Sequence, residues 1–176
     1  MKNKIFFGAF ILLLMITTSS YAQFNPYTNE VKMFSVGVGA SGWGIPLFVR
    51  YEQAIADNIT VGGTFSFQSK SEKYGTYKWN HTIVGVNGRG SYHFNELLNA
   101  SDEWDFYAGG SVGYYFWNTK YDGSGTFIYD GSGSGGFSIG AHIGARYFVN
   151  ENLGITAEAG GGSVLAGGTI GVTFLF

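Results

Sequence analysis

Ionisable side chains are scarce in this chain, which makes their placement informative. Charged residues are 12% of the 176, against roughly 25% in ordinary soluble domains. Arg50, Glu52, Arg89, Arg146 and Glu158 occupy segments that read as extended, on the face otherwise given to Gly, Ser and Thr; His142 lies one step further along the Arg146 segment. Buried charge is tolerated when it is paired and hydrogen-bonded. These residues therefore offer a structural ion network or, if they line a narrow passage, a selectivity or gating constriction.

Other chemistries are thinly supported. Acyl hydrolysis needs a serine, a histidine and a carboxylate in line, and the only histidines are His81, His93 and His142. Ser91 and His93 share a face, but His81 has Lys78 and Trp79 nearby and no close serine. With no cysteine and three scattered histidines, neither a thiolate site nor a histidine metal site is expected. No cofactor is expected either. A repeat is present: Tyr121-Asp122-Gly-Ser-Gly125 and Tyr129-Asp130-Gly-Ser-Gly133, with Phe127 between them. Asp-Gly and Ser-Gly supply positive-φ turn positions. Tyr with Gly and Ser also makes an adaptable contact surface for a partner. Two carboxylates are too few for a calcium cage.

The elements that position these residues are strands. Eight alternating segments fall at about 31–42, 45–56, 59–70, 77–94, 104–117, 136–149, 152–161 and 165–176, with boundaries good to about two to four residues. In the third, Ile59, Val61, Gly63, Phe65 and Phe67 share one face, and Thr60, Gly62, Thr64, Ser66, Gln68 and Lys70 the other. Side chains of a strand alternate sides, and helical periodicity appears nowhere at useful length. The expected fold is all-β: an eight-stranded, antiparallel, up-and-down transmembrane β-barrel.

Alternation alone also fits a soluble barrel that is apolar inside. The order along the apolar face favours the membrane. It runs Trp104, Phe106, Ala108, Gly110, Val112, Tyr114, Phe116 in the fifth segment and Phe137, Ile139, Ala141, Ile143, Ala145, Tyr147 in the sixth. Aromatics at both ends with small and aliphatic residues between match two interfacial girdles around an apolar band. In such a barrel the five charges occupy a slab on the order of 10 Å tall. Gly109, Gly140 and Gly144 leave room for them. Arg146 and Glu158, near diagonal register on consecutive strands, are the expected pair, with Arg50 reaching in from the opposite wall.

Lys2 and Lys4, the apolar run Ile5 to Ile16 and Ser20-Tyr21-Ala22 read as an export signal cleaved after Ala22,. The barrel domain is then 23–176. Of 10 basic and 12 acidic side chains, losing Lys2 and Lys4 leaves 8 against 12, a net charge of −4. That balance argues against a nucleic-acid partner.

The last stretch, Thr169 to Phe176, puts Ile170, Val172, Phe174 and Phe176 on one face. With the signal segment, the strand count and the girdles, it resembles the small OmpA/OmpX-type outer-membrane proteins. The resemblance covers nearly all of the mature chain. It implies that strand eight pairs with strand one, that the barrel assembly machinery reads terminal Phe176 together with Phe174, and that lipid surrounds the barrel. It implies a location in the bacterial outer membrane, with both termini in the periplasm. The connection 118–135 then faces outward as a candidate interaction loop for a surface ligand. The chain ends at the barrel, so no peptidoglycan-binding domain is expected. Such barrels serve envelope integrity, adhesion or resistance, or act as narrow passive pores. Lipid-A-modifying enzymes use the same scaffold, but the histidine placement argues against one here.

Overall fold

The computed structural model describes residues 31–42, 44–74, 77–122, 134–162 and 166–176. The expected export signal, 1–22, and the segment 23–30 lie outside the described residues. Eight antiparallel strands close into a barrel in sequence order: β1 (Lys32–Ser41), β2 (Leu47–Ala56), β3 (Ile59–Tyr74), β4 (Tyr77–His93), β5 (Trp104–Asp122), β6 (Ser134–Asn150), β7 (Leu153–Gly162) and β8 (Gly167–Leu175). Closure comes from β1 against β8, running from Met33↔Leu175 to Ser41↔Gly167. Just past β8, Phe176 extends the ladder: its N–H donates to Lys32 O at 3.0 Å and its carbonyl accepts from Lys32 N at 3.2 Å.

The two faces invert the arrangement of a soluble protein. Ser35, Arg50, Thr60, Thr64, Ser91 and Thr173 point inward and are buried, while Val36, Val49, Phe65, Val86, Ile143 and Ile170 point outward and are exposed. Outward aromatics gather at two levels. Near the rim that holds the barrel's ends, Trp104 stacks on Phe106 at 5.4 Å and meets Tyr147 at 5.0 Å. Near the far rim, Tyr114 meets Phe116 at 5.1 Å and Phe137 at 5.9 Å. Between them on these strands lie Val112, Ile139 and Ile143, 58–72% exposed. An apolar belt of this extent is stable only against another apolar medium.

The connections explain the strand order. Between β2 and β3, Asn58 takes the left-handed conformation (φ 61°) that the tight turn needs,. The β4–β5 connection holds a one-turn helix, α1 (Asn95–Leu98), closed by left-handed Asn99. Asn95 clamps it to β5: its amide donates to Trp104 O and its carbonyl accepts from Phe106 N, both at 2.6 Å.

Two connections differ from the expected spans. The β3–β4 ladder continues to Tyr74↔Tyr77, so most of the stretch expected to be a loop at 71–76 is strand. Strand β5 runs on to Asp122 and β6 starts at Ser134, which places Tyr121 and Asp122 within the strand. Residues 118–122 stay on the ladder because β4 supplies partners for them as far as Lys78↔Asp122. Phe127, Tyr129 and Asp130 lie outside the described residues.

Candidate functional site

The inward charges meet inside the barrel because five strands deliver them to one level. Strand β2 brings Arg50 and Glu52, β4 brings Arg89, Ser91 and His93, β5 brings Asp105 and Tyr107, β6 brings His142 and Arg146, and β7 brings Glu158. Small partners make the space. Tyr107 sits opposite Gly144, and Gly109 opposite His142. A Cβ at Gly144 would lie 2.5 Å from the Tyr107 ring, and one at Gly109 would lie 2.8 Å from His142 Nε2.

Three arginines alternate with three carboxylates. Glu158 accepts from Arg50 Nη2 and Arg89 Nη2, each at 2.8 Å, and from the Tyr107 hydroxyl at 3.0 Å. Glu52 accepts from Arg146 Nη2, has Arg89 Nε at 3.2 Å, and takes a longer bond of 3.4 Å from Ser91. Asp105 accepts from Arg146 Nη1 at 2.7 Å and bonds His93 Nδ1 at 2.6 Å. His93 Nε2 in turn meets Thr60 Oγ1 at 3.0 Å. Aromatic faces support two of the cations: Arg146 Cζ lies 4.1 Å from the Tyr107 centroid and Arg50 Cζ 4.9 Å from that of Phe48, close enough for cation–π attraction.

Arg146 and Asp105 are 0% exposed, Glu52 1% and Arg50 2%. Charges so far from water persist only because each meets an opposite charge. Towards the rim of the barrel's ends, hydroxyls replace charges: Thr173 bonds Ser35 at 2.8 Å and Thr156 at 2.5 Å. Met33, Ala54 and Phe148 are buried at that end.

The expected pairing of Arg146 with Glu158 does not occur. On β6 and β7, Glu158 stands opposite Gly144, and Arg146 opposite Thr156. Arg146 instead lies over the Tyr107 ring and turns to Asp105 and Glu52. Glu158 is taken by Arg50, Arg89 and Tyr107. Asp105, His93, Tyr107 and Ser91 belong to the network but were absent from the expected set. The signal for Asp105 was present in the alternation of Trp104-Asp105-Phe106, which turns the carboxylate inward between two outward aromatics.

The histidines divide the elements of a hydrolytic triad between them. Ser91 bonds His142 Nε2 at 2.9 Å, whereas the carboxylate bond of Asp105 goes to His93. His81 is remote from both: its Nδ1 meets Thr119 Oγ1 at 2.9 Å and its ring faces Trp117 edge-on at 6.0 Å. At the closing strand Phe174 and Phe176 point outward, 40% and 66% exposed. The Phe176 ring lies 6.5 Å from that of Tyr51.

Solved structures share this architecture. A major outer membrane protein from Thermus thermophilus superposes with a TM-score of 0.62 at 13% identity, covering 83% of this chain and 99% of that one. Ail, the attachment invasion locus protein of Yersinia pestis, gives 0.52 at 16% identity, covering 84% and 96%. Neisserial surface protein A gives 0.53 at 13% identity, covering 83% and 95%. At these identities the likeness concerns the fold alone. Comparison with curated proteins yields no match. The sequence itself matches the outer membrane protein beta-barrel domain over residues 8–172. With apolar strands outside, charge inside and that match across most of its length, the chain belongs to the outer membrane β-barrel domain family.

Proposed function

We propose that this outer-membrane barrel works as a surface-interaction protein with a closed lumen, exported by cleavage after Ala22. The observation that carries the reading is the unequal height of its wall. Strands β3, β4, β5 and β6 have 16, 17, 19 and 17 residues, whereas β1, β2 and β7 have 10 and β8 has 9. At about 3.4 Å per residue and a tilt near 40°, the difference lifts a four-stranded sheet roughly 15–20 Å above the opposite rim. Crossing the bilayer does not require that extra length, since the short wall already suffices with about ten residues. A raised sheet at the outer rim presents a broad face to molecules outside the cell. Ail, named for attachment and invasion, shares the architecture, which is compatible with this reading.

In this reading lipid covers the apolar belt, the barrel assembly machinery reads Phe176 with Phe174, and a surface ligand meets the raised sheet and the β5–β6 connection. The role is non-catalytic, because the serine and the carboxylate address different histidines. Arg50, Glu52, Arg89, Arg146 and Glu158 serve as a brace that closes the lumen.

The test compares cells expressing the full barrel with cells expressing one whose 69–82 and 117–137 segments are trimmed to short hairpins. Both barrels should insert, and only the full one should raise adhesion to a ligand-coated surface. Equal adhesion by both would remove the interaction role. A narrow pore is the second reading, and stable conductance steps from wild type in planar bilayers would install it instead.

A further inference from the structure

Beyond the ion network, towards the far rim, the barrel holds a cavity of about 50 Å³ whose lining includes Arg50, Thr64, Asn87, Arg89, Glu158 and Thr169. Five of those side chains carry buried polar atoms without a hydrogen bond: Arg50 Nε and Nη1, Thr64 Oγ1, Asn87 Oδ1, Thr169 Oγ1 and Arg89 Nε, the last of which faces Glu52 at 3.2 Å. Arg50 is 2% exposed, Thr64 5% and Asn87 6%. One orphaned group in a native interior calls for an explanation. Leaving Arg89 aside, four such side chains line a single cavity and share one space for a partner.

The charge of the lining states what kind. Arg50 and Arg89 bring two cations and Glu158 one anion, and both Glu158 oxygens are already engaged by Arg50, Arg89 and Tyr107. The remaining carboxylates lie deeper: Asp105 and Glu52 both hold Arg146, and Glu52 also faces Arg89 Nε at 3.2 Å. The lining itself thus sets two guanidiniums against one carboxylate, and the donors left uncommitted there are Arg50 Nε and Nη1. A water needs about 10–15 Å³ by this measure, so the room suits a solute of three or four non-hydrogen atoms.

We infer that the lumen binds a small carboxylate or an oxyanion of similar size, held by the Arg50 N–H groups and the hydroxyls of Thr64 and Thr169. The Asn87 amide, turned over, adds an N–H. Charge-assisted bonds of this type are the strong ones, and three donors from β2, β3 and β8 fix the anion from different sides. The site is independent of the raised sheet, so it stands whether or not the surface role does.

The experiment titrates the refolded barrel in detergent micelles with [13C]formate, holding ionic strength constant with gluconate, which is too large to enter. A saturable change in the formate resonance is expected for wild type. Thr169→Val, which leaves every ion pair in place, should weaken binding about tenfold. Ser138→Leu, which fills the cavity from β6, should abolish it while the barrel stays folded by circular dichroism. Arg50→Gln should abolish it too, but that variant also disturbs the network, so the other two carry the result. A response that never saturates, or one unchanged in Ser138→Leu, would overturn the site and leave the cavity to water alone.

Discussion

Arg146 bonds Glu52 across the full diameter of the barrel, because β6 and β2 are four strands apart whichever way the eight are counted. The same guanidinium also holds Asp105 on the neighbouring strand at 2.7 Å. One residue thus ties its own wall to the opposite one.

That geometry predicts which pair is coupled. Glu52→Gln and Arg146→Gln should each cost about 3–5 kcal/mol, the usual result of stranding one charge of a buried pair. The double substitution should cost clearly less than their sum. Arg146→Gln with Glu158→Gln should come closer to additive. Urea unfolding of the folded barrel in detergent measures all three. A larger coupling for Arg146 with Glu158 would contradict the cross-lumen tie.

Tyr107 has two jobs that substitution can separate. Tyr107→Phe keeps the ring under Arg146 and removes the 3.0 Å bond to Glu158, which should cost about 1.5–3 kcal/mol. Gly144→Ala pushes a methyl group into that ring and should cost about 1–3 kcal/mol by overpacking. Combining Gly144→Ala with Tyr107→Leu should recover part of that loss. Strict additivity of the two would mean that the ring does not need the space at position 144.

Much of this architecture was legible in the sequence, because period-two alternation survives any detail of side-chain geometry. The third segment, 59–70, was placed correctly at its start and fell short only at its far end. Alternation cannot say where a ladder stops once no apolar belt constrains it, hence the extra residues to Tyr74 and Asp122. The pairing inside was less legible. Long arginine side chains reach well beyond the next strand, so adjacency in sequence order did not identify the partner of Arg146. The bond from His93 to Asp105 was not legible either, because it requires knowing that β4 and β5 leave the rim together.

Orientation is open to direct measurement. Ser71 is exposed near the far rim, and Ser101 is exposed in the connection beside α1. With cysteine at each, an impermeant maleimide on intact cells should label Ser71→Cys and leave Ser101→Cys unmodified until the cells are lysed. The reverse pattern would turn the barrel over and bring the raised sheet into the periplasm.

The closing strand offers a last comparison. Phe176 faces outward, while Leu175 points to the other side. Burial of either side chain is worth only about 1.5–3 kcal/mol. If the assembly machinery reads the outward aromatic, Phe176→Ala should lower the amount of barrel in the outer membrane far more than Leu175→Ala does. Equal losses in a membrane-fraction immunoblot would reduce the effect to plain burial.

The opposed pairs Asp105↔Arg146, Tyr107↔Gly144 and Gly109↔His142 on β5 and β6 also make this hairpin self-checking. A slip of one residue turns every inward group into lipid. A slip of two keeps the faces but brings Tyr107 against His142 or Arg146 and leaves Asp105 without its cation. Only one alignment fits all three pairs at once. A hairpin zipped in any other alignment would meet a steric clash or a stranded charge at one of these pairs, so side-chain size and charge together select the register,.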